Sequence, residues 1–187
     1  MPAMPKRRLS REDWERAALD AIAAGGLEAV AVEPLAAKLG VTKGSFYAHF
    51  SSRDALIDAA LAAWEGSHGT FADIDDPAER LEQAMLTAVA FSQSGAPSVH
   101  VKLLGELHDA RVREAVARVT ARRLARLAAT YRELGFPPKR AEHRARLAYA
   151  AYIGLLQMAQ ETPDRRLSKA EIARLMNELR ATLLAPP

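Results

Sequence analysis

The chain has 187 residues, 49% hydrophobic and 26% charged, with a formal net charge of +3 and no cysteine. That length allows one large or two small globular domains, and the composition excludes a disulfide framework and any thiolate metal site. Ala, Leu, Arg and Glu dominate while β-branched residues are sparse, which favours an all-α fold.

No apolar run approaches the ~18 residues of a membrane span, and Met1–Ser10 is basic without an apolar segment. The expected compartment is therefore the cytoplasm, with no membrane partner. The mild net charge points to a local basic patch rather than a wholly basic protein, and Lys6, Arg7, Arg8 and Arg11 form one. Ser10 with Asp13 reads as a capping box that opens a first helix reaching about Ala24. Trp14, Ala18, Leu19 and Ile22 form its apolar stripe, and Gly25-Gly26 stop it. After a short connector, a second helix begins near Val32 or Glu33, with Pro34 tolerated in its first turn. Leu35, Ala36 and Leu39 share its inward face, and Gly40 suits a tight turn.

Thr42 is placed to cap a third helix with its hydroxyl. Over Thr42–Phe50, Phe46 and Phe50 lie four apart and pack inward, leaving Thr42, Lys43, Ser45, Tyr47 and His49 mostly outside. Gly44 is a poor helix former, worth about 1 kcal/mol against Ala; it makes sense where the backbone must come close to a base edge or a phosphate. Two helices joined by a short glycine-containing turn form a helix-turn-helix, whose second helix enters the major groove. Beside it, the N-terminal patch reads as an arm that contacts phosphate or the minor groove. Thr42, Lys43, Gly44 and Ser45 are placed to meet base edges and phosphates.

Ser52 caps a fourth helix carrying Leu56, Ala60, Leu61 and Trp64 inward. Gly66 to Pro77 reads as a loop and marks a boundary near residue 66. The expected organisation is a helix-turn-helix domain over 1–50, a linking helix over 51–66, and a helical domain over 67–187. Pro77 opens a helix that breaks at Ser94-Gly95-Ala96-Pro97, and Ser98–His108 reads as a short helix. Asp109–Leu134 follows, with its many arginines on a solvated face, and Gly135 and Pro137-Pro138 end it. The next helix, to about Gln160, is apolar almost all round from Leu147 to Met158 and so must meet a pocket or another subunit. Ser168 and Glu171 form a second capping box for a last helix bearing Ile172, Leu175, Met176, Leu179 and Leu183.

No catalytic constellation stands out. There is no glycine-rich phosphate loop, and His100 and His108 are roughly 12 Å apart along a helix, too far to share a metal. Asp73, Asp75 and Asp76 lack the spacing of a calcium loop and read as solvated. Neither an enzyme, a cofactor nor a metal site is expected.

The run Leu35–Leu56, with Ala36-Ala37-Lys38-Leu39-Gly40-Val41-Thr42-Lys43-Gly44-Ser45-Phe46-Tyr47-Ala48-His49-Phe50 and then Ser52-Arg53-Asp54-Ala55-Leu56, resembles the DNA-binding domain of the TetR family of bacterial transcriptional regulators. The likeness covers roughly the first third of the chain and rests on the Tyr-x-His-Phe pattern followed by a basic residue and a Leu. The family usually has Lys where this chain has Arg53, and the charge is kept.

The resemblance implies that Tyr47, His49 and Arg53 contact the phosphate backbone and that the fourth helix carries the ligand signal to the head. It also implies an effector pocket in the C-terminal bundle. Met85, Phe91, His100, Leu104, His108, Tyr131, Tyr149, Tyr152 and Met158 have side chains suited to it. The last two helices look like the family's dimer interface, formed here by Tyr149, Ala150, Ile153, Gly154, Gln157, Ile172, Leu175, Met176 and Leu179. The expected function is a homodimeric, sequence-specific regulator: a repressor released from a palindromic DNA operator by a small-molecule effector that the sequence does not identify. The alternative is a helical small-molecule-binding protein or enzyme with a vestigial DNA-binding head, against which the intact Tyr-x-His-Phe helix counts. A non-specific architectural DNA protein is disfavoured by the mild charge and the apolar C-terminus.

Overall fold

A computed structural model describes residues 9–66, 73–162, 164 and 166–185. Among these every regular element is a helix: α1 (Arg11–Gly25), a 3-10 turn (Leu27–Ala29), α2 (Val32–Lys38), α3 (Lys43–Tyr47), α4 (Arg53–Gly66), α5 (Pro77–Ser94), α6 (Val99–Leu104), α7 (Ala110–Glu133), α8 (Pro138–Glu161) and α9 (Lys169–Leu183). The all-α reading holds.

Local chemistry sets most of the boundaries. The capping boxes at Ser10/Asp13 and Ser168/Glu171 both form. Asp76, read from sequence as part of a solvated acidic loop, caps α5 through Ala78 N and Glu79 N. The helix expected over Ser98–His108 closes earlier, at Leu104, where Gly105 and Glu106 turn back onto the carbonyls of Lys102 and Leu103. Asp109 then accepts from Arg111 N and Val112 N and starts α7.

The chain divides into two compact units, Met1–His68 with Lys102–Val116, and Gly69–Val101 with Ala117–Pro187. In the first, α1 packs along α4. Trp14, Ala18, Ile22, Phe46, Leu56, Ile57 and Ala60 are sealed from solvent. Two charged side chains hold the 3-10 turn in place. Arg53 donates to Val30 O (2.7 Å) and Leu27 O (2.6 Å), and Glu106 accepts from Leu27 N at 3.3 Å. Gly26 has φ +78, which calls for glycine, and a Cβ there would push the end of the Glu106 side chain away from Leu27 N. Arg111 meets Asp54 (3.1 Å) and Asp58 (3.4 Å), one turn apart on α4, as well as Asp109 (2.8 Å).

In the second unit, α5 packs on α8 and α9. Its core gathers Leu81, Ala128, Tyr131, Phe136, Ala141 and Ala145, with the Tyr131 and Phe136 rings edge to face at 5.4 Å. Arg80 pairs with Glu133 at 2.9 Å, Arg180 with Glu82, and Arg144 bonds the Thr182 carbonyl.

Both tryptophans, Trp14 and Trp64, belong to the first unit, so indole fluorescence reports its unfolding selectively. The Arg111 guanidinium bonded to Asp109 lowers that carboxyl from 3.8 to about 2. A depressed carboxyl contributes its stability in full above the unfolded pKa and loses it as pH falls through the folded one. Asp109→Asn should therefore cost about 1–2 kcal/mol at pH 7 and little near pH 2. Denaturant titrations followed by tryptophan emission at the two pH values would check this.

Candidate nucleic-acid interface

α2, the turn after it and α3 are built by backbone geometry and two buried faces. Leu35 and Ala36 are buried in α2. Gly40 takes φ +69 at the turn, and its amide and that of Val41 bond back to Ala37 O (3.1 Å) and Ala36 O (2.9 Å). No atom would crowd a Cβ at Gly40; backbone conformation alone calls for glycine there. α3 spans only Lys43–Tyr47, shorter than the Thr42–Phe50 expected. Phe46 is wholly buried against Trp14 (5.4 Å, edge to face) and stacked with Phe50 at 5.8 Å.

With Phe46 inward, the rest of α3 faces solvent. Thr42, Lys43 and Gly44 are exposed, Ser45 is half-buried, and Tyr47 is 56% exposed despite its large ring. The expected hydroxyl cap by Thr42 does not form. The Ser45 amide bonds the Thr42 backbone carbonyl instead (3.0 Å), leaving the side chain out of the cap. A Cβ on Gly44 would meet only Thr42 Oγ1, at an ordinary 3.6 Å, so no internal contact and no unusual φ requires glycine there. Lys43 pairs with Glu33 at 2.8 Å; this bond holds the lysine above its usual range and the glutamate below its own.

Three expected contacts, Lys6, Arg7 and Arg8, lie outside the described residues. Arg53 has its guanidinium turned onto the carbonyls of the 3-10 turn, a framework position. His49 is half-buried, and its carbonyl accepts from Arg11 Nη1 at 3.1 Å. The Arg11 guanidinium also lies 4.3 Å from the Phe50 ring centre. Arg11 thus clamps the end of α3 to the start of α1. In the sequence it stood out only as part of the basic run.

The expected pocket residues fall into different places. His100, Tyr149 and Tyr152 come together in the second unit, with ring centres 6.1–6.4 Å apart. Thr120 and Arg123, not singled out from sequence, join them. Their only signal was a three-residue spacing that puts both on one face of α7. The Arg123 guanidinium donates to His100 Nδ1 at 3.0 Å. A guanidinium only donates, so the imidazole hydrogen must sit on Nε2, facing Tyr149 Oη at 3.2 Å. The tyrosine hydroxyl is in turn hydrogen-bonded to Thr120 Oγ1 at 3.0 Å, where either oxygen can donate.

Tyr131 instead lies sealed in the core, and its buried hydroxyl has no hydrogen-bond partner. Burial pushes its phenol up to about 12. Leu104 and His108 group with the first unit, where His108 is exposed and 3.7 Å from Glu106. Met85 is half-buried, while Phe91 and Met158 are exposed.

Of the expected interface residues, Ala150 and Gln157 are exposed, and Tyr149, Ile153, Gly154, Ile172, Leu175 and Leu179 are half-buried. Met176 is buried within its own chain. Leu147 and Met158, 56% and 55% exposed, lie with Ala150 and Gly154 along one face of α8. A Cβ on Gly154 would meet nothing within 4 Å.

If α3 approaches DNA through its glycine, Gly44→Ala should stabilise the first unit by up to ~1 kcal/mol yet weaken specific duplex binding about tenfold, the size of one lost base contact. Tryptophan-monitored melts and fluorescence anisotropy would check the two halves. Arg11 separates positioning from phosphate contact. Arg11→Gln should lower affinity while leaving the slope of log K against log salt unchanged, whereas loss of a phosphate contact would reduce that slope by about one.

Residues 16–60 match the family model described as bacterial regulatory proteins, tetR family. A transcriptional regulator from Rhodococcus sp. Rha1 has a similar structure, with 25% identity and a TM-score of 0.61 over 83% of this chain and 86% of that one. Reduced E. coli NemR aligns at 18% identity and a TM-score of 0.63, covering 91% and 95% of the two chains. Salmonella enterica GusR aligns at 17% and 0.63, covering 98% and 100%; these last two likenesses speak to the fold. No curated protein matches the chain. Among the described residues no helix is long and apolar enough to cross a membrane. The buried Phe46 anchor, the outward face of α3 and the family match together identify residues 16–60 as a DNA-binding domain of the kind found in bacterial regulatory proteins of the tetR family.

Proposed function

We propose that the protein is a cytoplasmic repressor that binds a palindromic operator as a homodimer and is released by a small-molecule effector. The observation that carries the reading is the outward face of α3. It holds a glycine that no internal contact requires and a large aromatic ring left in solvent. Both cost the isolated chain something, and both suit close approach to a duplex. Thr42, Lys43, Gly44 and Ser45 would meet base edges and nearby phosphates; Tyr47 and His49 would meet the backbone. Lys6, Arg7 and Arg8 would extend the phosphate contacts as an arm. Arg53, bonded to Leu27 O and Val30 O, would serve mainly by holding the framework.

A five-residue helix reads few base pairs, so useful specificity needs two copies. Two-fold symmetry would present the copies to half-sites about 34 Å apart. The uncovered face of α8, with Leu147, Ala150, Gly154 and Met158, supports a second copy as its cover, together with Ile172, Leu175 and Leu179 of α9. In this reading residues 1–50 read DNA, 51–66 link, and 67–187 dimerise and bind the effector. The effector site is the cluster around His100, Tyr149 and Tyr152. α7 is one continuous helix that carries Thr120 and Arg123 of that cluster and, at its start, Arg111 on α4. A ligand that prefers one setting of α7 would thereby bias the head, and DNA would bias ligand affinity by the same factor.

The test is selection from random duplexes with the full-length protein, followed by sequencing. Recovery of a palindrome supports the reading; binding that is blind to sequence overturns it. Gly154→Arg should keep native helicity, since a Cβ there meets nothing within 4 Å, but convert the dimer to monomer in sedimentation velocity. Operator affinity should fall with it.

A further inference from the structure

We infer that the effector is a small organic monocarboxylate held by Arg123; this rests on the reading above that the second unit binds an effector. Arg123 is half-buried on α7. Two contacts fix its guanidinium, the bond from Nη1 to His100 Nδ1 (3.0 Å) and the Tyr152 ring 5.0 Å below it. Neither contact is an anion, and among the described residues no carboxylate lies within ion-pair reach of it. Two other arginines of the same unit do have carboxylate partners: Arg80 has Glu133, and Arg180 has Glu82. A partly desolvated cation with no counter-charge is costly, and a guanidinium already oriented by its neighbours loses little entropy when an anion arrives.

The chemistry narrows the anion. A planar fork of N–H donors matches a carboxylate in bidentate geometry. His100 supplies no second cation. Its Nδ1 accepts from Arg123 and its Nε2–H is directed to Tyr149, whose hydroxyl is hydrogen-bonded to Thr120. Within this cluster of Arg123, His100, Tyr149, Tyr152 and Thr120 the guanidinium is the one cation, which suits a monoanion better than a phosphate dianion. The Tyr149 and Tyr152 rings, 6.1 Å apart and tilted by 30°, offer flat apolar walls for its body.

The experiment is calorimetric titration of the full-length protein with benzoate, phenylacetate and octanoate, with benzamide as the neutral comparator for benzoate. At least one carboxylate should bind, and benzoate should bind about tenfold or more tightly than benzamide. Arg123→Gln should weaken carboxylate binding about tenfold and leave benzamide unchanged, with Arg123→Lys intermediate. The lysine variant keeps the charge and serves if the glutamine variant does not fold. No binding by any of the three acids, equal binding of benzoate and benzamide, or an undiminished Arg123 variant would overturn the inference. Operator binding by the wild-type chain, measured with and without the acid, separates the two readings. Carboxylate binding without operator release leaves this site standing and removes its regulatory role.

Discussion

The burial of one phenylalanine carries the interface. Isolated helices shorter than about 12–15 residues are marginal in water, and α3 has five residues. Its own hydrogen bonds cannot hold it. Full burial of a side chain such as Phe46 contributes about 1.5–3 kcal/mol, and Trp14 and Phe50 supply the aromatic surfaces around it. Because Phe46 points inward, helical geometry sends Gly44 and Tyr47 outward. The exposed face of α3 is thus a consequence of a buried contact.

Charged side chains in the first unit act as fasteners for backbone that hydrophobic packing cannot hold. Exposed ion pairs are individually weak, and the Lys38–Asp20 and Lys43–Glu33 pairs belong to that class. Arg53, Glu106 and Arg11 differ because each bonds a main-chain atom of a turn or a helix end. Backbone groups at such places lack helical partners, so a directional side-chain bond both satisfies them and sets where the segment lies.

The second unit uses polarity differently. Its core around Tyr131 is apolar and leaves one hydroxyl unsatisfied. The cluster around His100, by contrast, is a hydrogen-bonded chain from Arg123 to Thr120 with the imidazole buried at its middle. Such a network is costly when half-made and specific when complete. That contrast between a tolerated orphan and an organised chain separates simple core from a place where a ligand could act.

Much of this was legible in the residues. Capping boxes at Ser10 and Ser168, the glycine turn at Gly40 and the pairing of Phe46 with Phe50 are short-range features, and the chemistry that sets them lies within a few residues of chain. The all-α fold and the helix-turn-helix of the DNA-binding domain followed from such local patterns. The roles of Arg53, Glu106, Arg111 and Arg123 did not, because their partners lie 23 to 79 residues away. An arginine on an arginine-rich helix looks solvated until the fold shows what stands opposite it. Spacing along a helix decides which side chains share a face, whereas only the tertiary structure decides which of those faces meets an aromatic ring, a carbonyl, a carboxylate or water.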